Sequence, residues 1–291
     1  MITIIVPGYD VAEYVTDALD SLRRQTRTDW VAILIDDGST DATGTQFDAA
    51  ADADARFRVV HHAQRRGLGA ARNTGLDLVE TPLVGFLDAD DVLLPTAFER
   101  LIGTLDATGS DFAVGAYVRL RPDAAGEYVP GDVQPWVAAA TAPERRGTTI
   151  DQHPAASGNI VAWSKISRHA FWQRTGLRFA EDRLYEDQVV AQRMYAAARA
   201  FDVVPDVVVQ WRERADGSSI TQGKDTLPVL RAYLDALAAG IAVLEASGHT
   251  SAVHARVRLI QDMDLVPLVE IARTHPDDTY RRVLGAFARD L

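Results

Sequence analysis

The chain opens on Ile2-Thr3-Ile4-Ile5-Val6, a β-branched apolar run that stops at Pro7-Gly8, the pattern of a strand buried on both faces. Tyr14, Val15, Ala18, Leu19 and Leu22 then recur at helical spacing and predict a helix through about Arg24. Residues 30–35 predict a second strand, which ends abruptly at Asp36-Asp37-Gly38. Ser39 or Thr40 is placed to cap the next helix, with Asp41 favouring its positive end. Residues 57–61 read as a third strand, 70–79 as a third helix, and 83–87 as a fourth strand running into Asp88-Ala89-Asp90-Asp91. Strand and helix alternate over short connections, so the first hundred residues predict a doubly wound α/β sheet.

The middle is less regular. Residues 112–120 predict a strand, and 121–146, rich in Pro, Gly and Ala, a loop. Residues 158–164 read as a strand, 168–175 as a short helix, 187–198 as an amphipathic helix behind Tyr185-Glu186, and 203–211 as another strand. From about Asp225 the tail is helical, with Leu227, Leu230, Tyr233, Leu234, Leu237 and Ile241 on one face. The expected division is a domain over 1–220, its halves meeting near 110, followed by a helical extension over 221–291.

Thirty Lys and Arg against forty-one Asp and Glu give a net charge of −11, which argues against a general nucleic-acid binder. Absence of cysteine removes disulfides, thiolate metal sites and cysteine nucleophiles. No apolar run approaches the ~18 residues of a membrane span. The N-terminus lacks a basic leader and reads as a strand, so the expected location is cytoplasmic, with peripheral attachment at the inner membrane face compatible with it.

In open α/β sheets ligands gather beyond the carboxyl ends of the strands. Three strands here end in polar clusters, at Gly8-Tyr9-Asp10, Asp36-Asp37-Gly38 and Asp88-Ala89-Asp90-Asp91. Tyr9 can lie flat against a nucleobase, or simply occupy a turn. Asp37 can accept from an imide N–H, although Asp-Gly-Ser-Thr also makes an ordinary turn. Asp88 and Asp90 leave a buried strand two residues apart and can aim hard oxygens at one divalent cation; Asp90 or Asp91 could instead cap the helix near Pro95. Gly67-Leu68-Gly69-Ala70-Ala71-Arg72 opens a helix where Arg72 can meet a phosphate or the acidic edge. Asp187 could be a general base or an acidic helix start. Arg212 and Arg214 share one side of a strand end and, with the serines beyond Gly217, could clamp a diphosphate. The histidines, including His61-His62, lack metal-ligand spacing and read as structural.

In order, I-I-V-P-G-Y-D, I-D-D-G-S-T-D, G-L-G-A-A-R-N-T-G, F-L-D-A-D-D and Y-E-D-Q resemble the family 2 inverting glycosyltransferases with the GT-A fold, over roughly residues 1–220. That resemblance implies a Rossmann-like, mixed but mainly parallel sheet flanked by helices. It implies that Tyr9, beside Pro7, stacks on the base and that Asp37 hydrogen-bonds it, with Arg72 near the nucleotide. Asp90 would ligate Mn2+ or Mg2+ on the diphosphate, with Asp88 near the ribose or a metal-bound water and Ala89 between them. Asp187 would be the catalytic base, and Arg212, Arg214 and Ser218 would form the loop over the pyrophosphate. Asp10 stands where the family usually carries Asn, adding negative charge beside the pocket.

The expected partners are a nucleotide-sugar donor, with a UDP-sugar favoured, and a carbohydrate, lipid-linked or polymer acceptor of cell-surface polysaccharide or glycolipid synthesis. Donor choice is expected to involve Asn159, Trp163 and Lys165. The tail is expected to complete the acceptor site, to pack on the domain or to pair two copies, with packing or pairing favoured. A nucleotidyltransferase or a non-catalytic nucleotide-sugar module are the alternatives. The first would place a phosphate-gripping Gly-rich loop after the first strand, where only Pro7-Gly8-Tyr9-Asp10 stands.

Overall fold

The computed structural model describes residues 1–181, 183–215 and 223–291. Strands β1 (Ile2–Gly8), β2 (Trp30–Asp36), β3 (Phe57–His61) and β4 (Leu83–Phe86) alternate with helices α1 (Val15–Arg23), α2 (Thr43–Ala53) and α3 (Leu68–Leu76), as the apolar periodicity predicts. β5 (Val92–Leu93) and α4 (Ala97–Thr108) follow. β1 pairs in parallel with β2 on one side and β4 on the other, and β2 pairs in parallel with β3. The chain therefore reverses its direction of winding at β1, the switch point where α/β sheets leave a crevice.

Beyond this half the sheet becomes mixed. β6 (Phe112–Pro122), β7 (Tyr128–Val133), α5 (Pro135–Thr141), β8 (Arg145–Thr148), β9 (Lys165–Arg168), α6 (His169–Thr175), α7 (Glu186–Ala197) and β10 (Phe201–Arg212) complete it. The strand order is β3-β2-β1-β4-β9-β6-β10-β5, with β7 on β6 and β8 on β10. β9 runs antiparallel between β4 and β6.

Four expectations are corrected. Residues 121–146, read as loop, contain β7, α5 and the start of β8. Residues 158–164, read as a strand, form the end of a 3-10 turn (Pro154–Gly158) and an irregular segment; the strand is β9, whose Lys165 and Ser167 are polar yet buried. Ser39 and Thr40 do not cap α2, which begins at Thr43 after Ala42. Instead the Asp10 carboxylate accepts the Thr40 and Asp41 N–H groups at 2.7 and 3.3 Å, and the Thr40 contact holds its carboxyl below the usual range. Finally, α8 (Leu227–Ala246) is long and apolar enough to cross a membrane by length and composition, despite Arg231 and Asp235. Its face Leu230, Tyr233, Leu234, Leu237, Ile241 and Leu244 is buried within the chain.

The tail continues as α9 (Thr250–Leu259), one π-helical turn (Ile260–Asp264), α10 (Leu265–Thr274) and α11 (Asp278–Asp290). α8, α10 and α11 enclose a second apolar core around Leu237, Leu268, Tyr280 and Leu284. Leu244 and Ala252 belong to the main core. The apolar stripes expected for packing or pairing are thus spent inside the chain, leaving Val266 and Val269 of α10 exposed.

Candidate active site

A cavity of about 820 Å³ opens beyond the carboxyl ends of β2, β1 and β4. Pro7, Tyr9, Asp37, Arg72, Asp88, Ala89, Asp90, Asp187 and Arg214 all stand on its wall. Arg212 is buried beside it, and Ser218 lies outside the described residues.

Arg72 is the centre of this arrangement. Gly67, with φ of +92°, starts α3, and Gly69 and Ala70 let the helix pass close to the chain; a Cβ on Gly69 would collide with the Ala180 carbonyl oxygen. α3 thereby carries Arg72 into the interior, where it is 1% exposed. Its Nη1 donates to Glu186 Oε1 at 2.6 Å and Asp187 Oδ1 at 2.5 Å, and its Nη2 to Asp88 Oδ1 at 2.8 Å. Burial opposes the guanidinium charge, but Asp187, Asp88 and Glu186 outweigh it and hold the group firmly protonated. For the carboxylates the balance runs the other way. Burial, reinforced by Asp187, pushes Glu186 up to about 7, and burial also raises Asp187 against the pull of Arg72. Glu186 and Asp187 crowd one cation in a desolvated place, so the last proton of that pair leaves late.

The loop after β4 has its own supports. Arg214 Nε donates to Asp90 Oδ2 at 2.8 Å. Arg212 donates from its backbone N–H to Asp91 Oδ1, from Nε to the Asp90 carbonyl and from Nη2 to Asp17 Oδ2, each at 2.8 Å. Arg212 thus braces the Asp90 loop from behind, while Arg214 faces the cavity. Neither Asp90 nor Asp91 caps α4, whose N-cap is Thr96. Burial raises both carboxyls, and Asp91, facing Asp90 and Asp88 as well, is raised the more strongly.

Asp88 and Asp90 each spend one oxygen on an arginine. Among the described residues no three His, Asp or Glu side chains gather as a metal site. A divalent cation here would therefore take these two carboxylates and complete its shell with oxygens from a phosphorylated ligand and water. That hard-oxygen set fits Mg2+ or Mn2+.

At the opposite end, Asp37 accepts from His62 Nδ1 at 2.7 Å, from the Arg66 N–H at 2.9 Å and from the Gly67 N–H at 2.7 Å. It fixes the 62–67 loop before it meets any ligand, and a carboxylate has about four acceptor positions, so one remains. The Arg65 guanidinium lies 4.3 Å from the centre of the Tyr9 ring, covering one face.

Sequence reasoning missed the far wall. Tyr117, Arg119 and Trp136 come from β6 and α5, and Tyr233, Arg256 and Asp264 from the tail. Trp136 fell in the segment read as loop. The tail residues are brought in by α8, by α9 and by the π turn, a feature frequent at functional sites. Asn159 and Lys165, expected near the donor sugar, are buried and bonded to each other; Trp163 does stand on the wall, edge-on to Tyr117.

Residues 3–131 match the family model described as Glycosyl transferase family 2. The uncharacterized glycosyltransferase EpsJ of Bacillus subtilis is 30% identical over 214 residues, which is 73% of this chain and 61% of EpsJ, so the chain spans less than two thirds of that relative. The succinoglycan biosynthesis protein ExoU of Rhizobium meliloti is 28% identical over 275 residues, covering 88% of this chain and 73% of ExoU. The crystal structure of S. aureus TarS 1–349 in complex with UDP-GlcNAc superposes with a TM-score of 0.67 at 20% identity, over 99% of this chain and 92% of that one. At that identity the likeness is one of fold.

Proposed function

Because the chain belongs to the family 2 glycosyltransferases and carries their GT-A fold, we propose that it transfers a sugar, with inversion, from a UDP-sugar to an acceptor hydroxyl with the help of a divalent metal. The observation that carries this reading is Arg72, which binds Asp88 and Asp187 in one cluster on the wall of the cavity that also holds Tyr9, Asp37 and Asp90.

Tyr9 offers a ring for the base, and the remaining acceptor position of Asp37 suits the imide N–H of uracil. The diphosphate then lies toward Asp88, Asp90 and Arg214, where Arg214 stabilises the charge that gathers on the leaving group. Asp90, with Asp88, would hold Mn2+ or Mg2+, which would supply Lewis-acid stabilisation of that charge. An acceptor oxygen attacks the anomeric carbon from the face opposite the diphosphate. The new C–O bond forms as the bond to the diphosphate breaks, and the acceptor proton passes to Asp187. Arg72 and the Ala162 N–H fix the Asp187 carboxylate at 2.5 and 3.3 Å, and its raised affinity for protons brings a carboxylate closer to the range useful at neutral pH. The aromatic far wall gives the acceptor apolar faces to lie on. Likeness to the succinoglycan biosynthesis protein ExoU favours an acceptor of polysaccharide synthesis.

The test is a panel of UDP-sugars with Mn2+. UDP release is expected with at least one of them, and Asp187→Asn should lower it about 10²–10⁴-fold with UDP binding retained. Pyrophosphate release when UTP and a sugar 1-phosphate are supplied instead would point to nucleotidyl transfer, and tight binding without turnover to a non-catalytic role.

A further inference from the structure

Lys165 is 3% exposed at the start of β9, in the middle of the sheet. Its ammonium has three N–H donors, and all find oxygen: the Asn159 carbonyl at 2.8 Å, Asn159 Oδ1 at 2.9 Å and the Val161 carbonyl at 2.6 Å. Among the described residues no carboxylate lies within ion-pair distance of it. A buried cation held only by neutral oxygens is expensive, and an apolar side chain would ordinarily serve a strand better.

The surrounding contacts converge on the same short segment. Ser164 Oγ donates to Asn159 Oδ1 at 2.9 Å, the Tyr195 hydroxyl to the Asn159 carbonyl at 3.1 Å, and Asn159 Nδ2 to the Gly115 carbonyl at 3.3 Å. The segment so folded presents the next backbone N–H, that of Ala162, to Asp187 Oδ2 at 3.3 Å. We propose that Lys165 is a positioning residue for Asp187: it gathers the oxygens of Asn159 and Val161 into a turn that aims the Ala162 N–H at the carboxylate, and it places a buried positive charge behind that carboxylate. This rests on the reading of Asp187 as the base.

Asp187 faces Arg72 from α3, Asp88 from the loop after β4, Glu186 on its own helix and Lys165 from β9. Lys165 faces Asp187 and the Tyr195 ring, both on α7. Burial pulls the lysine down to about 7 while Asp187 pulls it up. The two groups therefore sustain each other's charge.

The experiment compares isotope-labelled wild type with Lys165→Met by amide exchange at Ala162 and by titration of the Asp187 carboxyl carbon. In the folded variant, Ala162 should exchange at least about tenfold faster, and Asp187 should titrate about one pH unit higher. A purely structural role would loosen β4 and β6 and leave the Asp187 titration in place. Asn159→Ala, which keeps the ammonium, should speed Ala162 exchange with a smaller change in that titration. A folded Lys165→Met protein with both quantities unchanged overturns the proposal. If that variant does not fold, unchanged Ala162 exchange in Asn159→Ala overturns it. Neither readout needs turnover: an Asp187→Asn enzyme that still transferred sugar would sink the base assignment and leave the Lys165 result standing.

Discussion

The guanidinium of Arg72 lies 2.5 Å from Oδ1 of Asp187, 115 positions away in the chain, and ties helix α3 to the first turn of helix α7. Removing it strands three carboxylates in the interior. Arg72→Met should cost about 3–5 kcal/mol of stability near neutral pH, the usual loss when a buried ion cluster is deprived of one sign. Urea unfolding measures it. The loss should shrink toward pH 5, because Glu186 and Asp187 both hold protons more tightly than usual and neutralise the cluster.

Glu186 gives a pH dependence of definite sign. Burial and Asp187 raise its carboxyl from the ordinary 4.5 to about 7, so the folded chain keeps this proton longer than the unfolded one. Its contribution is fully present below the unfolded value and is lost as pH rises through about 7. Glu186→Gln carries no such proton. The stability of the variant relative to wild type should therefore climb between pH 4.5 and 7, followed by melting temperature at each pH; a difference that stayed flat or fell would refute the assignment.

Asp90 tests the metal. Mn2+ should tighten UDP binding about tenfold or more, equivalent to about 1.4 kcal/mol, and Asp90→Ala should erase that gain. Calorimetry with and without EDTA reads it directly, and equal wild-type affinities under both conditions would remove the cation from the site.

Two glycines make a contrast inside helices. Gly69→Ala would drive a Cβ into the Ala180 carbonyl, against backbone that has no slack, and should cost about 1–3 kcal/mol. The displaced segment also holds Phe179, whose N–H and carbonyl bond the Asn73 side chain. Gly103 in α4 has nothing within 4 Å of its would-be Cβ, so Gly103→Ala should stabilise by about 0.5–1 kcal/mol. Chemical denaturation of the two variants side by side separates crowding from chain entropy.

The sequence was readable where burial and periodicity agree. Residues of β1, β2 and β4 are apolar because both faces are covered, and their abrupt polar ends mark the edge on which Tyr9, Asp37 and Asp88 stand. β9 escaped because Lys165 and Ser167 are polar inside the sheet, their cost offset by neighbouring oxygens, while the apolar residues just before it line the cavity wall. β7 escaped because it is a largely exposed strand, held by pairing with β6 rather than by an alternating apolar face. The Arg72 cluster was hidden for another reason: nothing local in residues 67–73 says which acids, from which later segment, will meet the arginine.

The reversal of β9 has a geometric consequence. Its neighbours β4 and β6 run toward the cavity, while β9 runs away from it, so β9 begins where β4 finishes, beside the first residues of β6. The chain arriving at β9 must cross the cavity edge on its way in, bringing the 159–162 backbone to Asp187 without any extra insertion. A slip of β9 by one residue would swap its two faces and turn the lysine away. Pairing register and the placement of Lys165 and the Ala162 N–H beside Asp187 are in this way one structural feature.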